Sequence, residues 1–193
     1  MRFVILSGNP KETGLCRTMT DAAIQGAKDG GAEVVEARLA SVARCQVCGD
    51  GWHTCRESQN CAFGSDGFSE IQALVHSADA VALITSVYWG ECDEALKAFM
   101  DRLRRCENFL FRGAGEGALS GKPALLVASP GGSGNGAVSC LAQMERFCQH
   151  TAAKVFDMIV VNRWNSDYKR IAVYQAARAI ASGRKHGETV PLG

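Results

Sequence analysis

The chain has 193 residues, of which 47% are hydrophobic and 21% are charged, and its formal net charge is +1. This length suits one domain with a substantial core, so we expect a single domain over residues 1–193. Because the net charge is close to zero, there is no electrostatic reason to expect nucleic acid or an anionic membrane surface as a partner.

Short apolar runs alternate with segments of helical periodicity along the chain. The pattern predicts strands at 3–7, 33–39, 80–86, 123–129 and 154–161. Apolar residues at three- and four-residue spacing predict helices at 15–29, 66–76, 91–105, 136–150 and 167–182. The first strand follows Met1 directly, and no run of about eighteen apolar residues occurs. We therefore expect a cytoplasmic protein that does not span a membrane.

Strands that alternate with helices in this way build a parallel sheet with helices on both faces. Because crossover connections are right-handed, the simplest arrangement is a doubly wound, flavodoxin-like α/β fold with five parallel strands in the order 2-1-3-4-5. Such sheets bind ligands at the carboxyl ends of their strands, beside the point where the strand order reverses. The loops after the first, third and fourth strands are therefore the expected binding site.

The loop after the first strand, SGNPKETGLC at residues 7–16, has the composition of a phosphate-binding loop. Small residues let backbone N–H groups turn toward an anion, and the start of the following helix attracts one. The lysine and hydroxyl residue that follow the second glycine of a nucleoside triphosphate loop are missing. Gly8 and Gly14 are also too far apart for a dinucleotide fingerprint. A terminal monophosphate is the best match, and a ligand-free turn is the alternative.

The other two loops suit a flat ligand. TSVYWGE at residues 85–91 places Tyr88 and Trp89 at the end of the third strand, where they can flank a planar ring or cover the core. SPGGSGNG at residues 129–136 is rich in glycine and has no bulky side chain, so its backbone can approach a ring closely. Together the three loops predict a ligand with a phosphate at one end and a planar ring at the other.

Several short motifs occur in order over residues 2–160. They are GNPK at 8–11, GLC at 14–16, AD at 78–79, SVYWG at 86–90, LK at 96–97, DR at 101–102 and the glycine-rich loop at 131–136. In order and spacing they resemble the motifs of the flavodoxin-like flavin reductases, the broad family of NAD(P)H-dependent FMN reductases and iron-sulfur flavoproteins.

This resemblance implies an oxidoreductase that passes hydride from NAD(P)H to bound FMN and on to an acceptor, either a small molecule or a redox protein. The alternative is an iron-sulfur flavoprotein or flavodoxin-like electron carrier without its own substrate turnover. The resemblance also implies a homodimer or homotetramer. No catalytic side chain is assigned, because the cofactor carries the chemistry. The residues assigned to FMN are Ser7, Asn9, Lys11, Thr13, Gly14, Leu15, Cys16, Ser86, Val87, Tyr88, Trp89, Gly90, Ser129, Gly131 and Gly132.

Four of the nine cysteines fall in CQVCGDGWHTCRESQNC, an insert at residues 45–61 after the second strand. Cys45, Cys48, Cys55 and Cys61 supply the four thiolates of a [4Fe–4S] cluster, which the iron-sulfur flavoproteins hold at this place. Their spacing, C-x2-C-x6-C-x5-C, is looser than the family's cluster motif. A zinc site usually has two short knuckles, and only Cys45-x2-Cys48 forms one. The cluster, zinc and free thiols in a structured loop all stay open.

Overall fold

The computed structural model describes residues 1–49, 51, 54–107, 115–185 and 187–188. Its strands are β1 (Arg2–Gly8), β2 (Glu33–Arg38), β3 (Ala80–Tyr88), β4 (Glu91–Cys92), β5 (Pro123–Pro130) and β6 (Lys154–Val160). Its helices are α1 (Leu15–Asp29), α2 (Thr54–Glu57), α3 (Phe68–Ser77), α4 (Glu94–Cys106), α5 (Ala137–His150) and α6 (Ser166–Ala181), and a 3-10 turn covers Gly64–Asp66.

The sheet has the order β2-β1-β3-β5-β6, and each of these neighbouring pairs is parallel. The five predicted strands thus lie in the predicted arrangement, and the doubly wound α/β fold is confirmed. The sheet differs from the prediction by a sixth strand, β4, which pairs antiparallel with β3. The pattern predicts a helix from residue 91, but Glu91 pairs with Tyr88 across a tight turn, so α4 begins only at Glu94.

The central strands are buried on both faces of the sheet. Along β1, Phe3 and Ile5 pack in the core that faces α1 and α6, whereas Val4 and Leu6 pack in the core that faces α3, α4 and α5. This double burial explains why the central strands are continuous apolar runs. None of the described helices is long and apolar enough to cross a membrane.

Asp93 caps the start of α4. Its carboxylate accepts a hydrogen bond from the backbone N–H of Leu96 at 3.0 Å. The side chain is buried, and burial raises the pKa of this carboxyl above its usual value. Gly8 at the end of β1 packs directly on the cap, because a Cβ at Gly8 would lie 2.7 Å from Asp93 Oδ1. The cap therefore fixes α4 against the end of the central strand.

We expect Asp93→Ala to lower the free energy of unfolding by about 1 kcal/mol, because the helix loses its N-cap acceptor. Asp93→Asn keeps an acceptor and removes a buried charge, so it should be at least as stable as the wild type at pH 7. Because burial raises the pKa of Asp93 on folding, the stability that comes from its protonated form is full below the unfolded pKa of about 3.9 and is lost as pH rises through the folded pKa. Asp93→Ala should therefore lose more stability at pH 4 than at pH 7. Urea unfolding at pH 4 and pH 7 measures both effects, and equal losses in the Ala and Asn variants would contradict them.

Candidate functional site

The loops after β1, β3 and β5 converge on one cleft of about 1070 Å³. It lies at the carboxyl edge of the sheet, where the strand order predicts a site. Its volume is slightly larger than the roughly 300–1,000 Å³ that is usual for ligand pockets. The predicted residues that line it are Asn9, Lys11, Thr13, Gly14, Leu15, Cys16, Ser86, Val87, Tyr88, Trp89, Gly90, Ser129, Gly131 and Gly132.

Ser7 is the predicted cofactor residue that does not line the cleft. It is buried within β1, because that strand continues to Gly8 and the loop begins one residue later. The predicted strand at 3–7 and the predicted loop at 7–16 share Ser7, and the structure places this residue in the strand.

The first loop is folded by Asn9 and ends at an open helix terminus. The Asn9 side chain donates to the carbonyl oxygen of Lys11 at 2.5 Å and accepts from the Lys11 backbone N–H at 3.2 Å. Gly14 precedes α1 with a φ of +94°, and no side chain caps the helix there. The first N–H groups of α1 therefore lack a side-chain acceptor, and their partial positive charge at the cleft suits an anion.

Cys16, in the first turn of α1, is buried although it lines the cleft. Burial raises the pKa of its thiol to about 12. The thiol is therefore neutral near pH 7, so it adds no negative charge that would repel a phosphate.

The second loop is a tight hairpin between β3 and β4. Its two turn residues, Trp89 and Gly90, have φ values of +54° and +81°, as a type I′ turn requires. A positive φ at a bulky residue is uncommon and is typical of functional positions. The turn leaves Trp89 fully exposed and Tyr88 half exposed at the cleft. Both aromatic faces are thus available to a planar ligand.

The hairpin is fastened to the glycine-rich loop and to α5. A Cβ at Gly136 would lie only 2.7 Å from the Cα of Gly90, so the two backbones touch. The Ser139 hydroxyl lies 2.9 Å from the carbonyl oxygen of Gly90 and 3.0 Å from that of Gly136. The backbone N–H of Cys92 donates to the Gln143 side chain at 3.0 Å. These contacts fix the wall of the cleft that carries the aromatic residues.

Ser129, near the end of β5, brings a buried hydroxyl to the cleft. Its side chain is 3% exposed, and its Oγ has no hydrogen-bond partner among the described residues. A buried polar group without a partner costs about 1–3 kcal/mol. Because Ser129 lines the cleft, a bound ligand with a polar edge can satisfy this hydroxyl.

The sequence reasoning missed several polar lining residues. They are Ser133, Asn135, Ser139, Arg163 and Ser166. Arg163 follows β6 and adds a positive charge to the cleft. The sequence does indicate this position, because the fifth predicted strand ends at the same edge of the sheet as the others and Arg163 follows it.

Comparison with known proteins assigns this cleft to a family. The sequence model described as NADPH-dependent FMN reductase matches residues 1–167, which include all three cleft loops. The chain belongs to the NADPH-dependent FMN reductase family. The resemblance drawn from the motifs is thereby confirmed, and it places the chain in a family of flavoprotein oxidoreductases.

Individual members and structural neighbours agree with that family. The iron-sulfur flavoprotein of Methanosarcina thermophila is 32% identical over 124 residues, which are 62% of this chain and 62% of that protein. The chain thus matches less than two thirds of this relative's length. The structure of an NAD(P)H:quinone oxidoreductase from Methanothermobacter marburgensis has a TM-score of 0.68, with 20% identity over 99% of both chains. A flavodoxin from the domain Archaea has a TM-score of 0.62, with 15% identity over 96% of this chain and 100% of its own. These two likenesses show that the fold is flavodoxin-like.

In this FMN reductase family member, the cysteine insert surrounds a second, much smaller cavity. Cys45, Cys48, Cys55 and Cys61 line about 20 Å³ of space, roughly what one water needs. Cys106 of α4 lines it too, and all nine cysteines are free thiols. Among the described residues, which leave out residues 50, 52 and 53 of the insert, no three His, Cys, Asp or Glu side chains are placed to hold a metal ion. The four predicted cysteines thus line one cavity, and the metal site stays a prediction from their number and spacing.

Arg102 ties the insert to α4. It is 2% exposed, and its guanidinium donates to the Cys61 sulfur at 3.3 Å. It also pairs with Asp66 at 2.5 Å and donates to the carbonyl oxygens of Ala43 and Phe63 at 3.0 and 2.5 Å. One side chain thus joins both ends of the insert to the helix that Asp93 caps.

Proposed function

We propose that this protein is an FMN-dependent oxidoreductase that takes hydride from NAD(P)H and passes the electrons to an acceptor. The observation that carries the proposal is the Ser129 hydroxyl, which is buried at the meeting point of three loops and has no partner among the described residues. The family to which the chain belongs supplies the reaction class. Gly90 of the hairpin and Gly136 of the glycine-rich loop touch, and this contact fixes the aromatic wall of the cleft beside which a flat ligand would lie.

When bound, FMN supplies the chemistry of hydride acceptance and onward electron transfer. The first N–H groups of α1, with Asn9, Lys11 and Thr13, would hold its phosphate. Tyr88 and Trp89 would flank the ring, since both are exposed at the cleft. Ser129 would hydrogen-bond a polar ligand atom that approaches β5. The chain's own part is therefore binding and orientation, with no side chain that moves a proton.

The exposed hairpin leaves one side of the cleft open to a second planar molecule. Trp89 is fully exposed, and Arg163, which follows β6, supplies a positive charge that suits a phosphorylated donor such as NAD(P)H. A structural neighbour is named an NAD(P)H:quinone oxidoreductase, so a quinone is the first acceptor to assay. A redox protein is the second.

Ser129→Ala tests the site. We expect the dissociation constant of FMN to rise about tenfold, because one hydrogen bond to the ligand is lost. The FMN-free variant should unfold at the same urea concentration as the wild type or slightly higher, because an unsatisfied buried hydroxyl is removed. Quenching of FMN fluorescence measures binding, and circular dichroism measures unfolding.

Ser7→Ala is the matched control, since Ser7 is a buried serine near the end of another central strand, β1, and does not line the cleft. It should bind FMN as the wild type does. An unchanged dissociation constant in Ser129→Ala, or an equal change in both variants, would place FMN elsewhere.

The reaction itself is tested by adding NADPH to the FMN-loaded protein without oxygen. A reductase should lose its flavin absorbance at once and regain it when a quinone is added. If NADPH and NADH both leave the flavin oxidised while dithionite reduces it, the protein is an electron carrier.

A further inference from the structure

Two buried thiols lie directly behind the aromatic hairpin. Cys92 is in β4 and Cys140 is in α5, and they are 5% and 0% exposed. Their sulfur atoms are 3.6 Å apart, and the Cys140 thiol donates a hydrogen bond to the Cys92 sulfur. The two residues are 48 positions apart in sequence, so folding alone brings them together.

This thiol pair is part of the interface between the hairpin and α5. Ser139 and Gln143 of the same helix hold Gly90 and Cys92 through hydrogen bonds. Cys140 lies between them in sequence, so the thiol contact is a third link between the same two elements. Of these three links, the thiol pair is the one that can become covalent.

We propose that Cys92 and Cys140 form a dithiol that hydrogen peroxide oxidises slowly to a disulfide, which locks the aromatic hairpin to α5. A disulfide requires a sulfur separation of about 2.05 Å. Starting from 3.6 Å, each sulfur has to move by less than about 1 Å to reach that separation. The hydrogen bonds of Ser139 and Gln143 already hold the hairpin against α5, so the two thiols stay in contact.

The chemistry needs one molecule of hydrogen peroxide, a small uncharged oxidant. One thiol gives up its proton and attacks peroxide oxygen, the O–O bond breaks, and a sulfenic acid and water form. The second thiol attacks the sulfenic sulfur, the S–O bond breaks, and the disulfide and a second water form. Two electrons pass from sulfur to oxygen. The hydrogen bond from Cys140, together with burial, raises the pKa of Cys92, so little thiolate is present near pH 7 and the reaction with peroxide is slow.

Peptide mapping of the whole protein tests the proposal. The protein is treated with hydrogen peroxide, its remaining thiols are alkylated, and the digest is analysed by mass spectrometry. We expect a cross-linked peptide pair that contains Cys92 and Cys140, is lighter by two hydrogen atoms than the two free thiols, and disappears after dithiothreitol. The thermal midpoint should rise by about 5 °C or more, because the cross-link closes a long loop of the unfolded chain.

Cys148→Ala is the matched control, since Cys148 is a fully buried cysteine of the same helix. That variant should keep the cross-link and the rise in midpoint. Cys92→Ala and Cys140→Ala should each lose both, and either variant suffices if the other fails to fold. The proposal is overturned if the insert cysteines oxidise while Cys92 and Cys140 stay alkylated, or if either of them cross-links to a different cysteine. The mapping does not depend on FMN, so it stands apart from the proposed function.

Discussion

Replacement of Gly136 by alanine is expected to weaken FMN binding at least about a hundredfold, or about 2.8 kcal/mol. The new Cβ would lie 2.7 Å from the Cα and 2.9 Å from the nitrogen of Gly90. Both are backbone atoms, so the contact can be relieved only if the hairpin moves away from α5. That movement displaces Trp89 and Tyr88 from the glycine-rich loop that they face across the cleft. Titration of FMN fluorescence measures the loss.

Gly121→Ala separates the close contact from backbone strain. Gly121 also has a positive φ, +73°, but the position of its Cβ is open space, and it does not line the cleft. Both variants should lose about 1–2 kcal/mol of stability from backbone strain, because alanine is strained in this region, and the close contact adds to the loss in Gly136→Ala. Only Gly136→Ala should lose FMN. If Gly136→Ala keeps wild-type affinity while its unfolding is affected, the two loops do not form the flavin site.

The parallel sheet could be predicted because its causes are local. Each central strand is buried on both faces, so each leaves an unbroken apolar run such as residues 80–86. The right-handed crossover rule then orders the strands, and the strand order names the edge that binds ligands. Family motifs at residues 8–16 and 86–90 point to the same edge. The position of the cleft can therefore be predicted from short segments of the sequence, each taken on its own.

The parts that could not be predicted depend on residues far apart in sequence. Strand β4 has two residues, too few to show a period, and Cys92 is held by Gln143 from a helix 51 positions away. The turn before it uses Trp89 where an asparagine would be the usual signal. Cys106 joins the insert cysteines only because α4 packs beneath them. Contacts of this kind arise from packing and have no local pattern.

Arg102→Ala is expected to lower the free energy of unfolding by about 3–5 kcal/mol, the usual cost of removing one partner of a buried ion pair. The side chain is 2% exposed and pairs with Asp66, and its guanidinium carbon lies 4.2 Å from the centre of the Phe68 ring. Without it, the carbonyl oxygens of Ala43 and Phe63 also lose their donor. Urea unfolding at pH 7 measures the loss.

The same pair predicts how stability changes in acid. Burial works to raise the pKa of Asp66, but hydrogen bonds from Arg102 and from the backbone of Ala43 and Phe68 outweigh it, so the pKa lies below its usual value. A carboxyl with a lowered folded pKa stabilises fully above its unfolded pKa of about 3.9, and this contribution is lost as pH falls through the folded pKa. Asp66→Asn should therefore be less stable than the wild type at pH 7, and the gap should close in strong acid.

Arg104→Ala is the control for the arginine, since Arg104 is on the same helix, is only partly buried and forms no ion pair within the described part of the chain. It should change the free energy of unfolding by no more than about 0.5 kcal/mol. If Arg102→Ala costs no more than Arg104→Ala, the guanidinium does not hold the insert to α4. Equal losses in Arg102→Ala, Asp66→Asn and the double variant would instead show that the two side chains act as one unit, because coupled residues are not additive.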